Sequence, residues 1–156
     1  MEQPASLLTD DIRSYIGRES PPYTMEVDKT AVRLFARAVG YTDPVFYDEE
    51  YARSKGLRSL VAPPGFFGHA PWKPGDPGIP LRLPSLPVKR RLAGGNEFEY
   101  YGVVCAGDVL TCVTRIKDIS ERHGRAGPMV LLTLETDYSN QFGELVARSR
   151  LTLIRY

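Results

Sequence analysis

A chain of 156 residues fits one domain and can bury most of the surface its unfolded form exposes. Its 20 Lys and Arg against 19 Asp and Glu leave a formal net charge of +1, so no global field is available to capture nucleic acid or an anionic membrane. No apolar run approaches the roughly 20 residues a membrane helix needs.

The opening "MEQPASLLTDDIRSYIG" is acidic and lacks the apolar core of a signal peptide. The expected location is therefore the cytoplasm. The 2 cysteines, Cys105 and Cys112, read as small apolar residues in a reducing compartment rather than as a disulfide. With His69 and His123 far apart in sequence they show no zinc spacing, and there is no P-loop or GxGxxG. No metal and no cofactor is expected.

Residues 1–16 read as an N-terminal extension. "YTMEV" alternates and predicts a short strand. "DKTAVRLFARAVG" is the clearest helix, with Ala31, Leu34, Phe35, Ala38 and Val39 on one face. Asp28 suits its N-cap and Gly40 its C-terminal stop. "DEEYARSKG" predicts a second short helix, with Asp48 as N-cap and acids in the first turn.

"LVAPPGFFGHAPW" is apolar throughout. Prolines can open a helix because its first turn needs no backbone donors. The prediction is a helix from about Pro64 to Trp72, apolar on every side and therefore interior. Pro74, Pro77, Pro80, Pro84 and Pro87 exclude regular structure over most of 73–91, which reads as a long loop.

From there the character changes. "GNEFEYYGVV", "DVLTCVTRIKDI", "PMVLLTLETDYSNQ" and "LVARSRLTLIRY" are strand-like runs separated by the turn signals "AGD", "RHGRAG" and "NQFGE". Leu145, Ala147, Ser149, Leu151 and Leu153 form one face of the last run, against a more polar one. Helices first and an antiparallel meander last predict an α+β architecture, with the sheet wrapped around the apolar helix.

At this point the residues resemble a known family. "PPYTMEV", "DPVFYDEEYA", "LVAPPGFF", "GGNEFEYYGVVCAGDVL" and the closing "LTLIRY", in that order, are similar to the MaoC-like dehydratases and hydratases of the hot-dog fold. Their N-terminal-type branch, the FAS1-like dehydratase domain, is the nearest in pattern. The resemblance implies one hot-dog domain over 1–156, with about five antiparallel strands. It also implies hydration of 2-enoyl thioesters, or dehydration of (R)-3-hydroxyacyl thioesters, on coenzyme A or acyl carrier protein. Catalytic members carry G-D-x-N-P-x-H, whose Asp and His perform general acid–base work. A Gly near the start of the apolar segment donates its N–H to the thioester carbonyl.

On this sequence the pattern breaks. Gly40 and Pro44 match, but the Asp falls on Tyr41, the Asn on Asp43 and the His on Phe46. The donor Gly falls on Pro64, which has no N–H. Acid, base and oxyanion donor are missing together. The resemblance then implies an acyl-binding, non-catalytic subunit of a heteromeric hydratase or dehydratase. Its partner is a MaoC-like catalytic hot-dog chain in a heterodimer or heterotetramer, or a second copy in a homodimer, joined sheet edge to sheet edge.

Candidate substrate-binding residues are Phe46, Pro64, Gly65, Phe66, His69, Asn96 and Tyr100. Tyr41, Asp43 and His69 are the candidates for repurposed chemistry in a stand-alone thioesterase, cyclase or dehydratase. Each has a plain alternative: Tyr41 as a packed aromatic, Asp43 as a turn starter before proline, His69 as a satisfied core histidine. Lys89, Arg90 and Arg91 are either a phosphate-binding run or a solvated flank. A pure binding module is the third function class.

Overall fold

The period-2 alternation of the C-terminal half closes into an antiparallel sheet. The computed structural model describes residues 6–71, 73–76, 78–125 and 127–156. Trp72, Pro77 and Ala126 lie outside the described residues, as do residues 1–5. The described helices are α1 (Asp10–Arg13), α2 (Lys29–Val39) and α3 (Glu49–Ser54), with a single 3₁₀ turn at Pro44–Phe46. The strands are β1 (Tyr23–Glu26), β2 (Arg91–Tyr100), β3 (Val109–Gly124), β4 (Gly127–Ser139) and β5 (Leu145–Arg155). They pair antiparallel in the order β1-β3-β4-β5-β2. Chain neighbours β3, β4 and β5 meet through tight turns, and β2 joins from a distance beside β5.

Side-chain parity divides the sheet into an inner and an outer face. Leu110, Cys112, Thr114 and Ile116 of β3 point inward and are buried. A bulge at Lys117 slips the register by one, so Ile119 is buried on the same side as Ile116. Two apolar clusters lie on the inner face. One joins Val27, Val32, Leu60, Phe66, Phe67, Leu110 and Tyr138. The other joins Ile116, Ile119, Val130, Leu132 and Leu134 with Leu8 and Ile12 from the α1 region. Leu81, Leu83, Leu86 and Val88 of the proline-rich stretch pack against this second cluster, so the stretch is irregular but partly embedded.

Two helix expectations need correction. The 64–72 helix does not form: Pro64 and Gly65 sit in a turn, and His69 bridges to β1 in extended form. Gly65 and Gly68 hold φ of 86° and 87°, outside the helical region. A Cβ on Gly68 would collide with the Glu26 carbonyl. The helix packed against the inner face is α2 instead. It is capped as expected, with Asp28 accepting the Ala31 N–H and Gly40 at φ 81°. Its buried stripe, however, is Val32 and Ala36 flanked by Ala31 and Phe35. Leu34 and Val39 stay 58% and 50% exposed. Tertiary contact chose the stripe whose small Ala36 allows close approach, not the stripe richest in apolar residues.

The outer face carries a cross-strand charge ladder. Arg150 on β5 donates to Glu135 on β4 (2.6 Å) and to Glu99 on β2 (2.6 Å). Arg115 on β3 completes the grip on Glu135, and Arg148 pairs with Asp137 at 2.5 Å. A further carboxylate, Asp108, is fully buried beside the first cluster. It accepts from Arg58 (2.5 and 2.9 Å), the Cys105 N–H (2.9 Å) and Gln141 (3.1 Å). Burial alone would raise its carboxyl, but the Arg58 guanidinium and the N–H donors more than offset this and hold it low. Cys105 and Cys112 are free and buried, and burial pushes the Cys112 thiol up to about 12.

Two outcomes are expected. Alanine at Gly68 forces strain and a backbone clash together, and should lower unfolding free energy by about 2–4 kcal/mol in urea titration. Glu135 is 1% exposed; burial would raise its carboxyl, but Arg115 and Arg150 outweigh that and hold it at about 2, against an ordinary 4.5. A depressed carboxyl contributes stability above its unfolded pKa and loses it as pH falls through the folded one. Stability should therefore drop by up to about 3 kcal/mol as pH falls from 4.5 toward 2, and Glu135→Gln should flatten that part of the profile.

Candidate functional site

Between α2 and the inner face of the sheet lies a cleft of about 430 Å³. Its floor comes from alternate residues of three strands: Leu134, Thr136 and Tyr138 on β4, Ser149 and Leu151 on β5, Asn96 and Phe98 on β2. Its roof is the turn-and-extended segment Gly65–His69, with Met25 of β1 and Phe35 of α2. Ile79 closes one side. Its size and its mostly apolar lining with a few placed polar groups are within the range of small-molecule sites.

The roof is held by backbone. Glu26 and His69 exchange both amide hydrogen bonds, at 2.7 and 2.9 Å. Aromatic rings then lock its underside. Phe67 stacks on Tyr138 with ring centroids 4.0 Å apart and lies 5.7 Å from Tyr100. Phe66 packs on Phe35 at 5.2 Å and takes the His69 ring edge-on at 5.4 Å. Such pairs add about 0.5–1.5 kcal/mol each beyond the area they bury.

The candidate residues divide by location. Gly65, Phe66, His69 and Asn96 all line the cleft. Tyr100 stands beside it: its hydroxyl accepts the Gly65 N–H at 2.7 Å. Burial pushes the Tyr100 phenol up, the Gly65 N–H opposes this, and nearby Tyr41 adds to the rise. Pro64 is exposed at the turn and is not in the cleft lining. Tyr41 and Phe46 stack on each other at 5.6 Å and are not among the lining residues. Asp43 is exposed and accepts the Val45 N–H at 3.0 Å, capping the Pro44–Phe46 turn. Asp48 caps α3 by accepting the Tyr51 N–H. Lys89, Arg90 and Arg91 are exposed where β2 begins.

Residue-by-residue reading missed Phe67, Thr136, Tyr138 and Ser149. The signal was present in β4, where Leu132, Leu134, Thr136 and Tyr138 share one parity. That this parity faces a cavity is decided by the roof. Among the described residues the lining contains one histidine, His69, and no carboxylate.

A family model for the "FAS1-like, dehydratase domain region" matches residues 14–149. The chain belongs to that family. Its fold is the hot-dog of the MaoC-like dehydratases. A UPF0336 protein of Saccharopolyspora erythraea is 32% identical over 143 residues, covering 91% of this chain and 89% of that one. A probable enoyl-CoA hydratase alpha subunit of Thermomonospora curvata is 29% identical over 143 residues, covering 83% of this chain and 45% of its own length. Among solved structures, the HadBC (3R)-hydroxyacyl-ACP dehydratase complex of Mycobacterium tuberculosis aligns with a TM-score of 0.66 at 25% identity, over 90% of this chain and 96% of that one. The ChsH1-ChsH2 complex of the same organism aligns at 0.73 with 16% identity, over 95% and 97%, a likeness of fold. No helix among the described residues is long and apolar enough to cross a membrane.

The Gly65–Tyr100 contact gives one expectation. Tyr100→Phe removes the acceptor of the Gly65 N–H and should cost up to about 1 kcal/mol of unfolding free energy, read by chemical denaturation. An unchanged midpoint would show that water replaces the phenol without loss.

Proposed function

We propose that this chain is the acyl-thioester-binding, non-catalytic subunit of a heteromeric 2-enoyl-thioester hydratase or (R)-3-hydroxyacyl-thioester dehydratase. The observation that carries the reading is a mostly apolar cleft of about 430 Å³ with no carboxylate among its described lining residues, while Tyr41 and Phe46 stand where the family pattern has its Asp and His. Phe46 can neither take nor give a proton, and Pro64 has no N–H to donate. Gly65, next to it, has its N–H directed at Tyr100. A thioester carbonyl would have to compete with that phenol.

On this reading residues 1–156 form a single hot-dog unit, cytoplasmic, working on acyl-CoA or acyl-ACP. A MaoC-like hot-dog chain supplies the Asp and His. The heteromeric complexes among the structural neighbours support such a partner. So does the sheet edge. β2 is exposed along its whole length and presents Leu92, Phe98 and Tyr100, with Tyr101 and Val103 just beyond. A ten-residue edge strand that leaves Phe98 and Tyr100 open on its inner face can pair with a further sheet, whereas the other edge, β1, has four residues. The partner sheet joins along β2, as a heterodimer or heterotetramer, with the homodimer as the form adopted alone.

A second reading, a stand-alone hot-dog enzyme, has one observation in its favour: His69 lines the cleft. Tyr41 and Asp43 do not.

The test is turnover of crotonyl-CoA and longer 2-enoyl-CoA by the purified chain, alone and with a MaoC-like chain carrying an intact G-D-x-N-P-x-H. Loss of an oxyanion donor costs about 100- to 1000-fold in rate, and loss of the acid–base pair roughly another 100-fold or more. Turnover by the chain alone should be negligible, and the partner should restore it while co-sedimenting with it. Turnover near one per second by the chain alone would sink the proposal, and a His69 substitution would then show whether the histidine carries it.

A further inference from the structure

One row of the sheet departs from the charge pairing seen elsewhere in it. Arg115, Arg148 and Arg150 each grip a carboxylate on the outer face. Arg155 of β5 does not. Its direct cross-strand neighbour on β2 is Arg91, and on β4 it is Val130, which in turn stands opposite Glu121 of β3. The row Arg91, Arg155, Val130, Glu121 belongs to the inner face, since Val130 is buried in the second cluster. Directly opposed side chains stand about 4.5–5.5 Å apart at Cβ, and like charges so placed repel.

The one carboxylate of that row is already committed. Glu121 accepts the Ser6 hydroxyl at 2.7 Å and the Leu7 N–H at 3.1 Å, with His123 at 3.8 Å. Arg155 Nε is enclosed and has no hydrogen-bond partner, the one buried side-chain nitrogen or oxygen of which this is true among the described residues. Neither Arg91 nor Arg155 joins an ion pair among those residues. An enclosed donor without an acceptor is costly. Arg91 is exposed, so the pair is open to solvent from its side. The fold also divides the basic run at 89–91. Arg90 exchanges both backbone hydrogen bonds with Tyr156 and takes the opposite parity from Arg91. Arg91 therefore has Arg155, not Arg90, beside it on its own face.

We infer that Arg91 and Arg155 form an oxyanion site that takes the phosphoryl group of a small molecule, as inorganic phosphate or as a phosphate monoester. Two planar guanidinium forks suit the oxygens of a tetrahedral phosphate, and a dianion neutralises both charges where a single carboxylate would leave one. It also supplies the acceptor that Arg155 Nε lacks. The site lies four residues along β5 from Leu151 of the cleft, about 13 Å at the rise of a strand. It does not depend on what the cleft holds.

The experiment follows the arginine Nε–Hε signals of the full chain by two-dimensional NMR as inorganic phosphate is added, with sodium chloride at matched ionic strength as the blank. The Arg155 signal, assigned by its loss in Arg155→Lys, should shift and saturate with a Kd on the order of 1 mM, the worth of two charge-assisted contacts. Arg91→Gln, at an exposed edge position, should weaken that binding at least about 10-fold while leaving the unfolding midpoint in place. No saturable shift, a shift that chloride reproduces, or a shift of equal affinity in Arg91→Gln overturns the inference. Adenosine 3′-monophosphate and glycerol 3-phosphate separate the two sources. An ester that binds tighter than inorganic phosphate marks a carried phosphoryl group, and phosphate binding tighter than both esters marks the free ion.

Discussion

Two backbone hydrogen bonds between Glu26 and His69 decide what this molecule can hold. They continue the β1 edge into the Gly65–His69 segment and so suspend that segment over the inner face of the sheet. The approach is so close that Gly68 has no room for a side chain. With the roof tied there, Phe66 and Phe67 are driven downward onto Phe35 and Tyr138, and the space left beneath them is the cleft. A helix over the same residues would have satisfied its own backbone and freed β1 from this contact. It would also have withdrawn the ring of Phe67 from the floor.

The floor depends on a second constraint, the strict two-residue period of the strands. Register aligns Thr114, Thr136 and Ser149 into one row and Leu134 and Leu151 into the next. The same register sets Glu135 beside Arg115 and Arg150 on the outer face. A slip of one residue would bring the charges into the cleft and turn the hydroxyls to solvent. The buried ion pairs and the cleft chemistry are thus two results of one alignment. The bulge at Lys117 is the one place where β3 breaks the period, and it serves to keep Ile119 inside.

The apolar surface left open follows a pattern too. Leu34 and Val39 on α2, and Leu92, Phe98 and Tyr100 on β2, are exposed although much of the interior is closely packed. Phe98 and Tyr100 belong to the inner parity of an edge strand that has no further strand beside it. Exposed apolar side chains grouped on an edge mark a contact surface more than a folding defect. The cleft itself touches that edge through Asn96 and Phe98.

Local chemistry was enough to write down much of this in advance. Asp28, Asp43, Asp48 and Gly40 signal their caps and turns because a side-chain acceptor or a left-handed glycine acts within a few residues of itself. The strands are legible because alternation is a short-range pattern. Long-range contact decided the remainder. Which stripe of α2 is buried depends on what packs against Ala36. Whether "APPGFFGHA" is a helix depends on Glu26, some forty positions away in sequence, offering its backbone to His69. That Thr136, Tyr138 and Ser149 border a cavity, rather than pack as ordinary sheet residues, follows from a roof built by another part of the chain. No window of the sequence contains both the floor and the roof, so the cleft exists only in the folded molecule.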